Sequence, residues 1–559
     1  MSMISSMTKH KSLLFFFFAS ILFLAVWIYL FNGLIYDDAY IAFRFSSNWA
    51  TGHGPIWNVG ENPVEGFSSF AWVLIGTIFQ LVGILPHVIM PWVGVAAWLA
   101  SALLLPKMID AVNPGEHTRL DQAIKILTFL ALIANAAIGF QAFHGLETSL
   151  FLLLILLFVY QALISHTTRD YIKLAVFSLF LITARPDGAA VILPIWALAF
   201  LLSPGERKNV LIGAFVSIGL IGLYSGAKWL YFGYPVPNTF YIKEATDGLA
   251  GESYVKDYLT LLSPLLIFLV YACGRLGLVR VITDKMFMFL ITPSILFCVA
   301  YLGINPILGN VYRFLIPTLP LFILAGLRVY FLAKNQPEDL PRQKLRLSLG
   351  SEALLFFALA LITINVFFNF KVYRDYAFLR YYSSATNENL KPHGIELKAA
   401  NALSPVPLLA TGDIGAIPYF SNLPTLDVIG LADETIAHQG LTHAYIQARK
   451  PDLLILQDVS VTKNTLLLEC GPQGYDNPLV DVDGKKVSLN MNYYSKVLDD
   501  PASAHTGKGS TYQIFTTPNF TADYEFILAW KYGDGRYYVF VRRAYPKFDE
   551  LVNILKTTK

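Results

Sequence analysis

Charge is scarce in this chain. Of its 559 residues only 14% are Asp, Glu, Lys or Arg, while 55% are hydrophobic and the mean hydropathy is +0.51. A soluble domain carries roughly 25% charged residues, so the composition specifies a polytopic membrane protein. The net charge of +3 comes without a basic stripe, which argues against nucleic acid as a partner. Cysteine is nearly missing: Cys273 and Cys298 lie in or beside apolar runs and Cys470 lies in a distant polar region. No disulfide framework and no Cys/His zinc spacing follows from them. Both glycine-rich phosphate loops are also lacking, Gly-x-x-x-x-Gly-Lys-Ser/Thr and, after a strand, Gly-x-Gly-x-x-Gly. No internal repeat is visible.

Long apolar runs dominate instead. The first follows Lys9-His10-Lys11 and covers residues 12–30. It is longer than a signal-peptide core and runs on into Asn32-Gly33-Leu34, so it reads as a retained helix. Further candidates are residues 70–85, 88–105, 123–140, 150–164, 174–182, 189–202, 210–232, 259–272, 286–302, 314–332 and 353–370. At about 20 residues per span the expectation is a helical membrane domain over 1–370 with about 11–13 spans. Lys and Arg gather in loops 9–11, 107–125, 169–173, 207–208, 275–285 and 334–346, which the positive-inside rule places in the cytoplasm. The opposite loops, 36–69, 141–148, 185–188, 234–258 and 303–313, are then external. Residues 70–105 read as two spans, yet this sidedness needs an odd number there. Beyond Phe370 the pattern stops. Residues 371–559 are enough for an external α/β domain, with strands expected at 408–411, 453–456 and 537–541 and a helix at 393–403.

Most polar side chains of note fall in the external loops. The loop 36–69 opens on Tyr36-Asp37-Asp38-Ala39-Tyr40, continues through Arg44, His53-Gly54 and Trp57-Asn58, and ends on Glu65-Gly66-Phe67-Ser68-Ser69. Residues 40–49 suit a short interfacial helix. Acids at a membrane exit are costly and mark sites. Asp37 and Asp38 are sequence neighbours, so one can face a cavity while the other orients Arg44 or a loop amide, or both can cap the helix at Tyr40. A carboxylate near an attacking hydroxyl acts as a general base. Aromatic faces such as Trp57 and Tyr241, with Arg44, His53 and Glu65, suit a carbohydrate. His144 and Glu147 precede the 150–164 run, where Glu147 is also a good helix-start residue. Arg185 can pair with Asp187 or hold a phosphate. Lys243, closing Tyr234-Pro235-Val236-Pro237-Asn238-Thr239-Phe240-Tyr241-Ile242-Lys243, and Arg313 are external cations that suit an anionic lipid headgroup. Asn238 and Asp413 complete the candidates. Asp413 lies in Thr411-Gly412-Asp413-Ile414-Gly415, at the carboxyl end of an expected strand.

The run Asp37-Asp38-Ala39-Tyr40-Ile41-Ala42-Phe43-Arg44, the segments around His53 and Glu65, Gly145-Leu146-Glu147-Thr148, Arg185-Pro186-Asp187-Gly188, the Pro237–Lys243 run, Tyr312-Arg313-Phe314 and residues 412–420 together resemble bacterial GT-C-type glycosyltransferases. Among them the chain resembles the mycobacterial terminal arabinofuranosyltransferases and their homologues. The resemblance spans about the whole chain. It implies a polyprenyl-phosphate sugar donor, transfer on the outer face of a bacterial plasma membrane, and an acid of the first outer loop, Asp37 or Asp38, as catalytic centre. Arg185, Lys243 and Arg313 are then expected to hold the donor phosphate. The acceptor is an extracytoplasmic glycan or a protein, and the sugar a pentofuranose or a hexose. A divalent cation is compatible with these residues, although no ligand spacing calls for one. A transporter or an envelope assembly factor is the alternative from another class. Transporters place ionisable groups within spans and often carry repeats, whereas here the polar groups crowd one face.

Overall fold

Backbone groups in hydrocarbon must be paired within their own segment, and long apolar runs therefore form helices. In the computed structural model, residues 2–114, 118–243, 251–304, 306, 309–335, 343–457, 479–482, 485–488, 514, 519–532 and 535–557 are described. Among them, seven helical stretches are long and apolar enough to cross a membrane: Leu14–Phe31, Pro86–Val112, Pro204–Phe232, Glu252–Leu276, Lys285–Gly303, Asn310–Lys334 and Ala353–Ala402. The pair Arg119–Ile133 and Ala136–Phe143, bent by 51°, makes an eighth if counted as one span, and Phe70–Leu81, Thr148–Ile164 and Pro186–Leu202 are shorter apolar helices. The two spans expected over 70–105 resolve into one long helix, Pro86–Val112, and the 12-residue Phe70–Leu81. The latter rises only about 18 Å.

The bend at Asn135 shows how a broken helix survives in a packed membrane domain. The Asn135 side chain accepts the Ile138 amide at 3.1 Å. Asn369, from a facing helix, accepts the Ala136 amide at 2.7 Å and donates to the Ala134 carbonyl at 3.2 Å. Two amides and one carbonyl freed by the break thus have side-chain partners. The helix carrying Asn369, Gln343–Ala385, has 43 residues and rises about 64 Å, twice the hydrocarbon thickness. It runs straight through residue 370, where the helical domain was expected to end, and leads into the α/β part.

That part is built on a five-stranded mixed sheet of order β2-β1-β3-β7-β6, with β1 Leu409–Thr411, β2 Thr425–Asp427, β3 Leu453–Gln457, β6 Tyr524–Tyr532 and β7 Gly535–Arg542; β4 Leu479–Val482 and β5 Lys485–Ser488 form a separate hairpin. β1 runs parallel to β2 and β3, and β3 antiparallel to β7. The three strands expected from sequence are β1, β3 and β7, the centre of the sheet. They read as continuous apolar runs because both faces are buried. Leu409, Leu453, Ile455, Val539 and Val541 join the core that continues into the membrane helices. Ala410, Leu454, Leu456, Tyr538 and Phe540 line a second core on the other face. The expected helix at 393–403 is present as Lys391–Leu397 followed by a 3-10 turn, Lys398–Ala402.

Candidate functional site

Asp37 and Asp38 occupy the first turn of the helix Asp37–Ala50, where the helix dipole favours negative charge. Their environments differ. Asp37 is buried, and its two carboxylate oxygens accept the Gly415 and Ala416 amides at 2.9 and 2.8 Å. Asp38 is partly exposed. One acid thus takes the loop amides, and its neighbour keeps access to solvent. Gly415 is required by this contact: a Cβ there would collide with the Asp37 carboxylate and carbonyl. The Gly-Asp-Ile-Gly turn after β1 also brings Asp413, partly exposed, to the same place. Tyr537, buried in β7, donates its hydroxyl hydrogen to Asp413. Burial pushes the Asp37 carboxyl above its ordinary range, against the pull of the two amides and with the like charge of Asp38 adding to the rise. Burial raises Asp413 too, and both Asp37 and Asp38 act on it in the same direction.

Behind the acids lies a second polar cluster. Tyr36, fully buried, is held protonated mainly by burial, and it feels both Asp38 and Arg313. Asn310 donates to the Tyr36 hydroxyl at 3.4 Å. His144 stacks on Tyr36 with ring centres 4.2 Å apart, and neither of its ring nitrogens has a hydrogen-bond partner among the described residues. Glu147 receives both arginines on one oxygen, Arg185 at 3.4 Å and Arg313 at 3.2 Å. Arg185 also makes a two-pronged pair with Asp187 at 3.0 and 2.6 Å and donates to the Tyr301 hydroxyl at 2.7 Å. The local Arg185–Asp187 pair is therefore formed, and its fork is filled. Arg313 retains an unpartnered, buried Nε.

Several other candidates hold the first outer loop to the α/β part. Arg44 is buried and donates to the Trp57, Pro418 and Leu423 carbonyls and to Asn58 at 2.7–3.1 Å. Its guanidinium lies over the Trp57 ring, 4.4 Å from the centroid. Trp57, expected to offer a stacking face, is buried and donates its indole hydrogen to the Thr425 carbonyl at 3.0 Å. Glu65 is buried against Lys228 at 2.8 Å. The Asn238 backbone amide donates to the Glu65 carbonyl at 3.0 Å. Tyr241 is partly buried, with its ring 4.2 Å from that of His438. His53 is exposed. Lys243 closes the short helix Asn238–Lys243, and its side chain lies outside the described residues. Cys470 also lies outside them.

The structure thus gathers Asp37, Asp38 and Asp413 in one group and His144, Glu147, Arg185 and Arg313 in another, with Tyr36 between. It assigns Arg44, Trp57 and Asn238 to the seam, and Glu65 to a pair with Lys228. Lys228, Tyr36 and Tyr537 were missed from sequence. Lys228 did carry a signal, as a lone cation near the end of an apolar run; Tyr537 carried none. Among the described residues, no group of three or more His, Cys, Asp or Glu side chains is placed to hold a metal ion.

Residues 389–540 match a family described as a domain of unknown function, DUF8728. No curated protein sequence matches the chain. Similar solved structures include the crystal structure of ArnT from Cupriavidus metallidurans bound to undecaprenyl phosphate, 13% identical, covering 74% of this chain and 85% of that one at a TM-score of 0.45. Another is the archaeal oligosaccharyltransferase AglB from Archaeoglobus fulgidus in complex with an inhibitory peptide and a dolichol-phosphate. It is 10% identical and covers 79% of this chain and 69% of that one, also at a TM-score of 0.45.

Proposed function

We propose that the protein is a membrane glycosyltransferase that moves a sugar from a polyprenyl monophosphate to an extracytoplasmic acceptor. The observation that carries this reading is the division of labour in the first outer loop: Asp37 is closed off by the Gly415 and Ala416 amides, and Asp38 beside it stays accessible. In the reaction, an acceptor hydroxyl attacks the anomeric carbon as the bond from that carbon to the phosphate oxygen breaks. Asp38 takes the hydroxyl proton as general base. The departing phosphate needs charge balance more than a proton, and Arg313, with its spare Nε, supplies it, with Arg185 on the same Glu147; Lys243 is the third cation proposed for the phosphate. Tyr36 joins the two halves of the site.

The motif series of the first outer loop supports a pentofuranose such as arabinofuranose as the sugar, with a hexose as the other choice. A glycan or a protein serves as acceptor. The loop charges support a bacterial plasma membrane location with the site and the α/β part, residues 371–559, on the outer side of the 1–370 membrane domain. The test is purified protein in detergent, offered a panel of polyprenyl-phosphate pentoses and hexoses with small glycan and peptide acceptors. A glycosylated product is expected with one donor. A folded protein that gives no product with any of them supports the transporter or assembly-factor reading instead.

A further inference from the structure

We infer that the groove between the end of the first outer loop, the 232–238 segment and Glu434 is a subsite for a non-reacting sugar of the acceptor, with Glu65 as a hydrogen-bond acceptor in its wall. The inference rests on the transfer reaction proposed above.

Val64, Glu65, Phe232, Tyr234, Val236 and Glu434 are among the residues that line the groove. Three segments far apart in sequence meet there, and direct contacts hold them. The Asn238 backbone amide donates to the Glu65 carbonyl at 3.0 Å, and its side chain donates to the Gly430 carbonyl at 3.4 Å. Gly66 packs on the turn before Glu434, where a Cβ would stand 3.0 Å from the Leu431 carbonyl oxygen. Tyr234 stacks on His438, with ring centres 4.4 Å apart, and donates to Glu434 at 2.8 Å. That bond joins two of the three segments and keeps the groove narrow.

The observation that points to a ligand is the Glu65 side chain, which is 4% exposed. Its Oε1 takes Lys228 at 2.8 Å. Its Oε2 is buried and has no hydrogen-bond partner among the described residues. Buried carboxylate oxygens are ordinarily hydrogen-bonded, so the place beside this one suits a donor. Lys228 already balances the charge of Glu65, and the donor called for is therefore neutral. A hydroxyl meets that need. Glu434 adds acceptor oxygens, while Val64, Phe232 and Val236 add apolar faces. Acceptors set among apolar faces match a sugar ring, whose hydroxyls donate from the rim and whose C–H faces are apolar.

The groove lies apart from the acids. Asp37, Asp38 and Asp413 are not among its lining residues. Phe232 meets Phe67 at 6.0 Å between ring centres, and Phe67 meets Phe45 at 4.8 Å. Phe45 sits about two turns along the helix that begins with Asp37. A packed aromatic layer thus links the groove to that helix without opening onto the acids. A sugar held there is one that the reaction leaves unchanged, so its contacts serve acceptor affinity rather than the chemical step.

The test uses the full-length protein in detergent, with octyl glycosides of one and of three sugars, built from arabinofuranose or mannose, as acceptors. Wild type should show a kcat/KM at least about tenfold higher for the trisaccharide, and Glu65→Gln should remove about tenfold of that preference through KM, the worth of one hydrogen bond to a charged group. Val236→Trp, which fills the groove, should remove as much. A wild type with no preference for the trisaccharide, or a preference that either variant retains, overturns the subsite. If Glu65→Gln does not fold, Val236→Trp carries the test. Transfer to a peptide and to no glycan overturns the subsite as well. No transfer with any donor contradicts the proposed reaction instead, and saturation-transfer NMR with the trisaccharides then decides the groove. Binding in wild type that Val236→Trp abolishes upholds a sugar site there; no binding, or binding that the variant retains, overturns it.

Discussion

The Asp37 carboxylate accepts the Gly415 amide at 2.9 Å, across 378 residues of chain. This bond, with its companion to Ala416, joins the first residue of the outer-loop helix to the turn after β1. It also leaves no room for a side chain at position 415.

Gly415→Ala should therefore part the two segments. Forcing a methyl into a closed contact costs about 1–3 kcal/mol, and the Asp37 hydrogen bonds are the first to yield. Limited proteolysis should show earlier cleavage in the α/β part while the membrane helices keep their circular dichroism. Wild-type protease resistance in the variant would show that the contact does not hold the segments together.

Arg44→Lys retains charge and loses the planar fork that reaches four acceptors at once. Hydrogen bonds from a charged donor contribute about 1.5–3 kcal/mol each, and a lysine can keep only part of them. A loss of about 3 kcal/mol is expected, read as a lower thermal midpoint in detergent. A midpoint within error of wild type would contradict the stitching role given to Arg44.

Glu147 is the shared partner of two buried arginines. Removing one member of a buried ion pair costs about 3–5 kcal/mol because the remaining charge stays unpaired. Glu147→Gln should lose that much. Adding Arg313→Met should recover part of it, giving a coupling free energy in a double-mutant cycle. Strict additivity would mean that Glu147 and Arg313 do not interact energetically.

Asp427, fully buried at the end of β2, accepts the Ile429 and Ala432 amides at 2.9 and 2.6 Å, yet burial still pushes its carboxyl up to about 7. The folded state then binds the proton more tightly than the unfolded chain does. Its stabilising contribution is complete below the ordinary carboxylate range and fades as pH rises from about 4 through about 7. Asp427→Asn should flatten this part of the stability–pH curve. A slope equal to wild type would place the titration elsewhere.

How far the sequence reveals this protein depends on which residues carry a local signal. Apolar runs marked the spans, and the flanking turns marked β1, β3 and β7 because those central strands are buried on both faces. The edge strands β2 and β6 were not marked. The acids at 37 and 38 stood out against hydrocarbon, and their unequal roles were foreseeable only as alternatives, since the deciding amides lie beyond residue 400. Trp57 looked like an open aromatic face, and it is the far side of the seam, Thr425 and Arg44, that closes it. Tyr537 reads in sequence as one more residue of an apolar strand. Its partnership with Asp413 exists only through the strand order.

The most direct test of the account is single-turnover transfer from a polyprenyl-phosphate sugar, comparing Asp38→Asn with wild type at saturating donor. Loss of a positioned general base costs about 10²–10⁴-fold in rate, so the variant should bind donor and fold as wild type does while its transfer step falls by at least about 100-fold. A transfer rate in Asp38→Asn equal to that of wild type would contradict the assignment of the first outer loop as the catalytic centre.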